Sequence, residues 1–542
     1  AIDGTDAADA DRRRTRVEAM LIRAWGGDPA TDDLATTFER VDHVPAGAVV
    51  TSINDPARAA AVALAMGRGQ PLLWLEGDYG APDGTLDAPR FEALRRNLED
   101  RLAALAWSWA GLGDDVDALT VCRDVSTRLR RPDAAQVFAT TDALGRNDAG
   151  DRYAITGMLF GGAAETAHAA MCSLFLDRTR FWMFNSYPRE GGFGAYGMEE
   201  GVQRLEAQGA RVEYDRGPAA TVGGWLRRIR GGVTSDGIFV NTKGNTTWFE
   251  LSGGDRAAAV DVPLLNTPAF VHFVHSWSAA FPANERTIAG RWLAHGAYAY
   301  VGACSEPMLS AFVPPHLVVR RMAVGVPFLV AARQWDGAPM SRTWRVNTFG
   351  DPLMIVHAGF TRRRVEPPAP LPPGGRDLRE SVRTALAEVA AATKGGTTPE
   401  PAWFVTAVEG LVRLGDDEAA REVWRHARSA GAGPEASGPS LSALFRLRQW
   451  DEFVVACEES GRRTPTVETM MWHAWQVDLP RDEAAPELLL LAGSVRSVDP
   501  VTDLKRLRQA VLVAFGRDFF QRLVQGQIGQ TSNPNVRKQL ER

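Results

Sequence analysis

Cysteine is scarce in this chain of 542 residues. Its four cysteines, Cys122, Cys172, Cys304 and Cys457, are widely scattered and never take a CxxC spacing. Neither a disulfide framework nor a cysteine-based zinc site follows from that pattern. Long apolar runs are missing too: no stretch approaches the roughly 18 apolar residues of a membrane helix, and no signal-peptide pattern is found. An excess of either charge is lacking, since 61 Lys+Arg stand against 66 Asp+Glu for a formal net charge of −5. That balance gives no general drive toward nucleic acid or an anionic membrane. Ligand clusters are few. His168 and Cys172 share one helix face, but no further ligand accompanies them, and a packed histidine is expected there instead of a metal site. Gly161 and Gly162 precede a helix without the Lys-Ser/Thr of a phosphate loop, so no cofactor is expected.

What is present is the composition of a globular protein, with 45% hydrophobic and 23% charged residues and a length that leaves room for about three or four domains. Residues 1–45 form an acidic, arginine-bearing lead-in, expected to be helical from Arg12 to Trp25. From Ala48 the pattern changes. GAVVTSI is β-rich, ARAAAVALAMGRGQ reads as an alanine-rich helix, PLLWLEG as the next strand and ALTVC (118–122) as another, which together make a βαβ-type subdomain over 46–150. A second α/β subdomain, 151–363, opens with RYAITGMLFGG and continues through the strands TRFWMFN and ARVEYDRG. Its loop NSYPREGGFGAYG suits a recognition surface or a lid, and WRVNTFGDPLMIV is expected to close its sheet.

EPPAPLPPGG marks a linker at 364–375, because proline blocks regular pairing and stiffens the chain. Beyond it, 376–542 reads as helix throughout. Helix pairs end near Gly415, Trp450 and Arg481, at intervals of 35 and 31 residues, close to the roughly 34-residue tetratricopeptide repeat. The expected fold class is therefore α/β, two tandem mainly parallel subdomains, followed by an all-α, TPR-like helical array. Such arrays bind partners, so a protein partner, or a second copy of the chain, is expected on this part.

Three strand candidates between Gly237 and Pro307 run directly into polar loops. GIFV (237–240) leads to NTKGNTTWFEL, PAFVHFV (268–274) to HSWSAAF, and GAYAYVGA (296–303) to CSEP. Ligands and catalytic groups gather beyond the carboxyl ends of parallel strands, which makes these loops the candidate site. The segments Asn241 to Asn245, Ser276 to Phe281, Gly296 to Gly302 and Phe349 to Pro352 follow an order and spacing that resembles the gingipain-type, caspase-fold cysteine peptidases. The resemblance implies two caspase-like α/β subdomains. It also implies a catalytic pair, a histidine before the glycine of the first loop and a cysteine opening the second, with the thiolate attacking a peptide carbonyl while imidazole moves protons.

At those two places this chain carries Lys243, before Gly244, and Ser276, beside His275. Lysine replaces neutral imidazole only when burial strips its proton, and a serine hydroxyl needs a far stronger base than a thiol does. The family's pair is absent. The expectation is a catalytically inactive pseudo-peptidase that acts in protein binding or assembly, with Gly244, Asn245 and Glu306 as binding candidates. One alternative is a hydrolase with Ser276 as nucleophile and Lys243 as its base; another pairs Cys304 with His275 or His295. The resemblance further implies an exported protein whose signal has been removed.

Overall fold

The computed structural model describes residues 7–132, 134–335, 342–356, 377–479 and 486–541. The chain divides into an α/β unit, Ala1–Val222 with Thr234–Thr361, and a helical unit, Gly223–Val233 with Arg362–Arg542. The linker expected at 364–375 lies outside the described residues.

Ten strands of the α/β unit form one sheet. In chain order they are β1 (Gly47–Thr51), β2 (Leu72–Trp74), β3 (Ala118–Cys122), β4 (Ile155–Leu159), β5 (Arg180–Asn185), β6 (Arg211–Arg216), β7 (Gly237–Asn241), β8 (Ala269–Val274), β9 (Ala297–Ala303) and β10 (Val346–Phe349). Across the sheet they lie in the order β2-β1-β3-β4-β10-β9-β8-β7-β5-β6. Most are Val-, Ile- and Phe-rich and buried on both faces, as strands covered by helices on either side should be.

The sheet has two halves. β1 to β4 pair in parallel along their lengths. β5 to β9 are likewise mutually parallel. Between the halves, β10 runs antiparallel to β9 and meets β4 at a single aligned pair, Phe349 and Met158. This geometry has two consequences. The strand at Ile155–Leu159, expected to open the second subdomain, pairs over five positions with β3 of the first half. And because β10 is parallel to β4 but antiparallel to β9, the carboxyl ends of β1–β4 and of β5–β9 face opposite edges of the sheet. The segment around Val346–Phe349, expected to close a sheet, sits instead in its middle. A short run buried throughout does not announce whether it is an edge or a centre.

Few backbone bonds cross the seam, and side chains bind it instead. The helix Arg58–Arg68 packs on the helix Ala163–Phe175 through Ala60, Ala61, Leu64 and Ala170. Beneath the other half lies an aromatic core that includes Phe181, Phe239, Phe270 and Phe328.

The described helical unit runs from Leu378–Lys394 to Pro534–Leu540. Several of its helices start on proline, where the missing N–H costs nothing. Gly415 takes φ +78 to end one helix, and the Asp416 carboxylate accepts from Ala419 N to begin the next. Pro401–Leu414 packs on both Asp417–Ser429 and Gly433–Arg446, so neighbouring and alternate helices touch as in a stacked array. Among the described residues no helix is long and apolar enough to cross a membrane.

Candidate functional site

The in-line registers of β5, β6, β7 and β8 bring Asn185, Arg216, Asn241 and Val274 level at one edge. The loops after β7 and β8 therefore leave the sheet side by side. Thr242 N donates to Val274 O at 3.1 Å, and Tyr187 Oη donates to Thr242 O at 2.8 Å. Gly244 lies directly on the neighbouring loop: a Cβ added there would stand 2.7 Å from His275 Nε2 and 2.4 Å from Trp248 O. Only a glycine fits so close an approach.

Lys243 and Ser276, at the places where the resemblance implies a catalytic pair, are each engaged with a carboxylate of their own. Lys243 opens an antiparallel hairpin in which it is registered with Glu250. Its Nζ lies 2.8 Å from that carboxylate and its side chain is 61% exposed. Burial, the influence that would turn a lysine into a base, is missing. Ser276 Oγ donates to Glu306 Oε1 at 3.0 Å. Glu306 Oε1 also accepts from Met308 N at 3.3 Å, and Glu306 N donates to Gln136 Oε1 at 3.2 Å. Glu306 thus orders the Ser276 turn.

His275 is buried, and its Nε2 meets Trp248 O at 3.2 Å. Burial, opposed by backbone bonding to Trp248 and Ser276, brings its pKa down to about 3, so at neutral pH the imidazole carries no charge. Cys304 is fully buried at the end of β9, and burial pushes its thiol up to about 12. A thiol so placed is a small core residue and not a nucleophile. His295 Nδ1 is held by Val262 O and Pro263 O at 3.1 and 2.9 Å. Asn245 Oδ1 accepts from Thr246 N at 2.7 Å, which makes it a turn former.

The backbone frame around Ser276 is nevertheless elaborate. Trp277, the next residue, adopts φ +65, and Met308, two residues past Glu306, adopts φ +61. Non-glycine residues in that region carry strain, which gathers at functional sites. The turn is pinned by Trp277 N to Ser305 O at 3.2 Å and Ala279 N to Ala303 O at 2.8 Å. Gly302 leaves room for it, since a Cβ there would meet Ser278 Oγ at 2.4 Å.

A cleft of about 690 Å³ opens beyond β5, β6 and β7, with Lys243 of the first site loop on its lining. The chain winds from β5 outward to β6 and then back across to β7, so the cleft occupies the point where strand order reverses, the general place for a ligand in such sheets. Tyr187, Phe193 and Tyr214 give it aromatic walls, and Lys243 and Glu250 stand on its lining together with Arg189, Glu199 and Arg216. Burial works against ionisation of Glu199, but a backbone N–H and Arg216 outweigh it and hold its pKa below the ordinary value.

The chain is similar to gingipain R. The crystal structure of that Arg-specific cysteine proteinase superposes with a TM-score of 0.41 at 13% identity, covering 58% of this chain and 80% of that one. A second solved structure, described only as a protease, gives 0.40 at 14% identity and covers 61% and 83%. No family model matches the sequence, and no curated protein does.

Of the residues expected at the site, Lys243, Gly244, His275, Ser276 and Glu306 do come to one edge, whereas Cys304 points to no solvent-accessible surface. Glu199, Tyr214 and Arg216 went unnoticed in the sequence. The signal for the last was available: Arg216 ends a strand, as Asn241 does, and strand ends are where such sites collect. Among the described residues no group of three or more His, Cys, Asp or Glu side chains is placed to hold a metal.

Proposed function

We propose that this protein is a catalytically inactive relative of the gingipain-type peptidases, in which the α/β unit serves recognition or assembly and the helical unit offers surface to a protein partner. One observation carries the reading. The Ser276 hydroxyl is spent on the Glu306 carboxylate, and the Lys243 ammonium, exposed, on Glu250. The base that Ser276 meets is a carboxylate, far too weak to activate an alcohol nucleophile, and the Lys243 amine is engaged with Glu250 instead. His275 does not fill the gap, because its Nε2 is engaged by Trp248 O and its Nδ1 has no hydrogen-bond partner in Ser276 Oγ. The two loops that resemble the peptidases leave the sheet side by side while Lys243 and Ser276 stand at the reacting places, a combination that supports loss of catalysis on a retained frame.

A serine-directed fluorophosphonate tests this directly. An inactive frame leaves Ser276 unmodified after prolonged exposure of the native protein, as judged by intact mass. Stoichiometric labelling at Ser276 that disappears in Lys243→Ala would replace the proposal with a serine-lysine hydrolase.

A further inference from the structure

The cleft at the strand-order reversal carries an imbalance of charge that identifies what it would take. Its lining holds three cations, Arg189, Arg216 and Lys243, against two carboxylates, Glu199 and Glu250. Lys243 is matched to Glu250 at 2.8 Å. Arg216 is paired closely with Glu199 and also lies over the Tyr214 ring, 5.7 Å from its centroid. Arg189 is left over. Among the described residues its guanidinium reaches only the already engaged Glu199, at 3.9 Å, and its side chain is 78% exposed. It sits at the lip of the cleft, next to the Tyr187 and Phe193 rings, whose centroids are 4.7 Å apart.

A planar guanidinium with unengaged donors takes a carboxylate in two parallel hydrogen bonds. The adjacent rings provide an apolar wall for the stem that carries it. The geometry points to a peptide carboxylate as the ligand of this cleft, held by Arg189 and seated against Tyr187 and Phe193. The inference rests on the reading of this sheet edge as a recognition site, and it names what that site recognises. The carboxylate has two sources in a polypeptide, an acidic side chain or the chain's own C-terminus.

Binding of four peptides by isothermal titration separates these. Three are acetylated and amidated pentapeptides that differ only in a central Glu, Gln or Lys; the fourth is the Gln peptide with a free C-terminal carboxylate. The Glu peptide, the free-acid peptide or both should bind at least about ten-fold more tightly than the blocked Gln peptide, the scale of a charge-assisted pair. Which of the two gains identifies the source. Arg189→Ala should remove the difference, and Arg189→Glu should turn the preference toward the Lys peptide. Arg189 is largely exposed, so neither change threatens the fold. Equal affinity for the Glu and blocked Gln peptides together with no gain for the free acid, a preference that survives Arg189→Ala, or no binding of any peptide at millimolar concentration would overturn the inference. Cleavage of the bound peptides would instead count against the inactive-frame proposal, while the Arg189 dependence would still report on the ligand.

Discussion

Arg68 and Asp351, 283 residues apart in sequence, meet across the seam of the sheet, with Nε 2.7 Å from a fully buried carboxylate. Asp351 also accepts from Leu353 N at 2.9 Å. The Phe-Gly-Asp-Pro turn is therefore a fastener between the two half-sheets, at the place where only one pair of strand residues is aligned.

Removing Arg68 leaves the carboxylate buried and unpaired, the costly way to break an ion pair. Arg68→Ala should destabilise the α/β unit by about 3 kcal/mol, and Asp351→Asn, which removes the charge itself, by less. Chemical denaturation followed by tryptophan fluorescence checks both. Equal small losses would mean that the seam is held elsewhere.

Gly244 tests the close contact between the two site loops. Gly244→Ala places a methyl group 2.4 Å from Trp248 O and 2.7 Å from His275 Nε2, and the hairpin has to shift to admit it. A loss of about 1–3 kcal/mol is expected, read as a lower denaturation midpoint. An unchanged midpoint would show that the loops do not touch in this way.

His272 lies in the middle of β8 with neither ring nitrogen hydrogen-bonded, and burial lowers its pKa to about 3. The unfolded chain, with an imidazole near pKa 6.5, binds the proton more readily. Stability should thus be full above about pH 6.5 and fall as the pH drops toward 3, by roughly 1.4 kcal/mol per pH unit for this group. His272→Leu should flatten the dependence between pH 4 and 6 by about that amount. An unaltered slope would place the acid sensitivity in other groups.

All four cysteines are buried, and burial raises the Cys304 thiol to about 12 and the Cys172 thiol to about 11. Iodoacetamide at neutral pH should leave the native protein unmodified and alkylate four positions once it is unfolded. Rapid native labelling of Cys304 would revive it as a nucleophile.

Much of this architecture was legible in the sequence, for identifiable reasons. GIFV, PAFVHFV, GAYAYVGA and ALTVC are apolar runs between polar loops, and each is a strand within a residue or two of its expected limits. The adjacency of the Lys243 and Ser276 loops followed from the topology that the resemblance implies, together with the strand-end rule. The direction of β10 did not, because no local pattern distinguishes a parallel from an antiparallel neighbour when both faces are buried. The partners of the site residues were equally hidden. Glu250 reaches Lys243 through hairpin register, and Glu306 reaches Ser276 through a turn held by strained residues, relationships that exist only once the chain is folded.

Hydrolysis itself tests the central claim most directly. Purified protein, Ser276→Ala and Lys243→Ala would be assayed against the same panel of peptide and ester substrates. An inactive frame predicts no turnover above the buffer rate for any of the three. Cleavage by the wild-type chain that both substitutions abolish would contradict it.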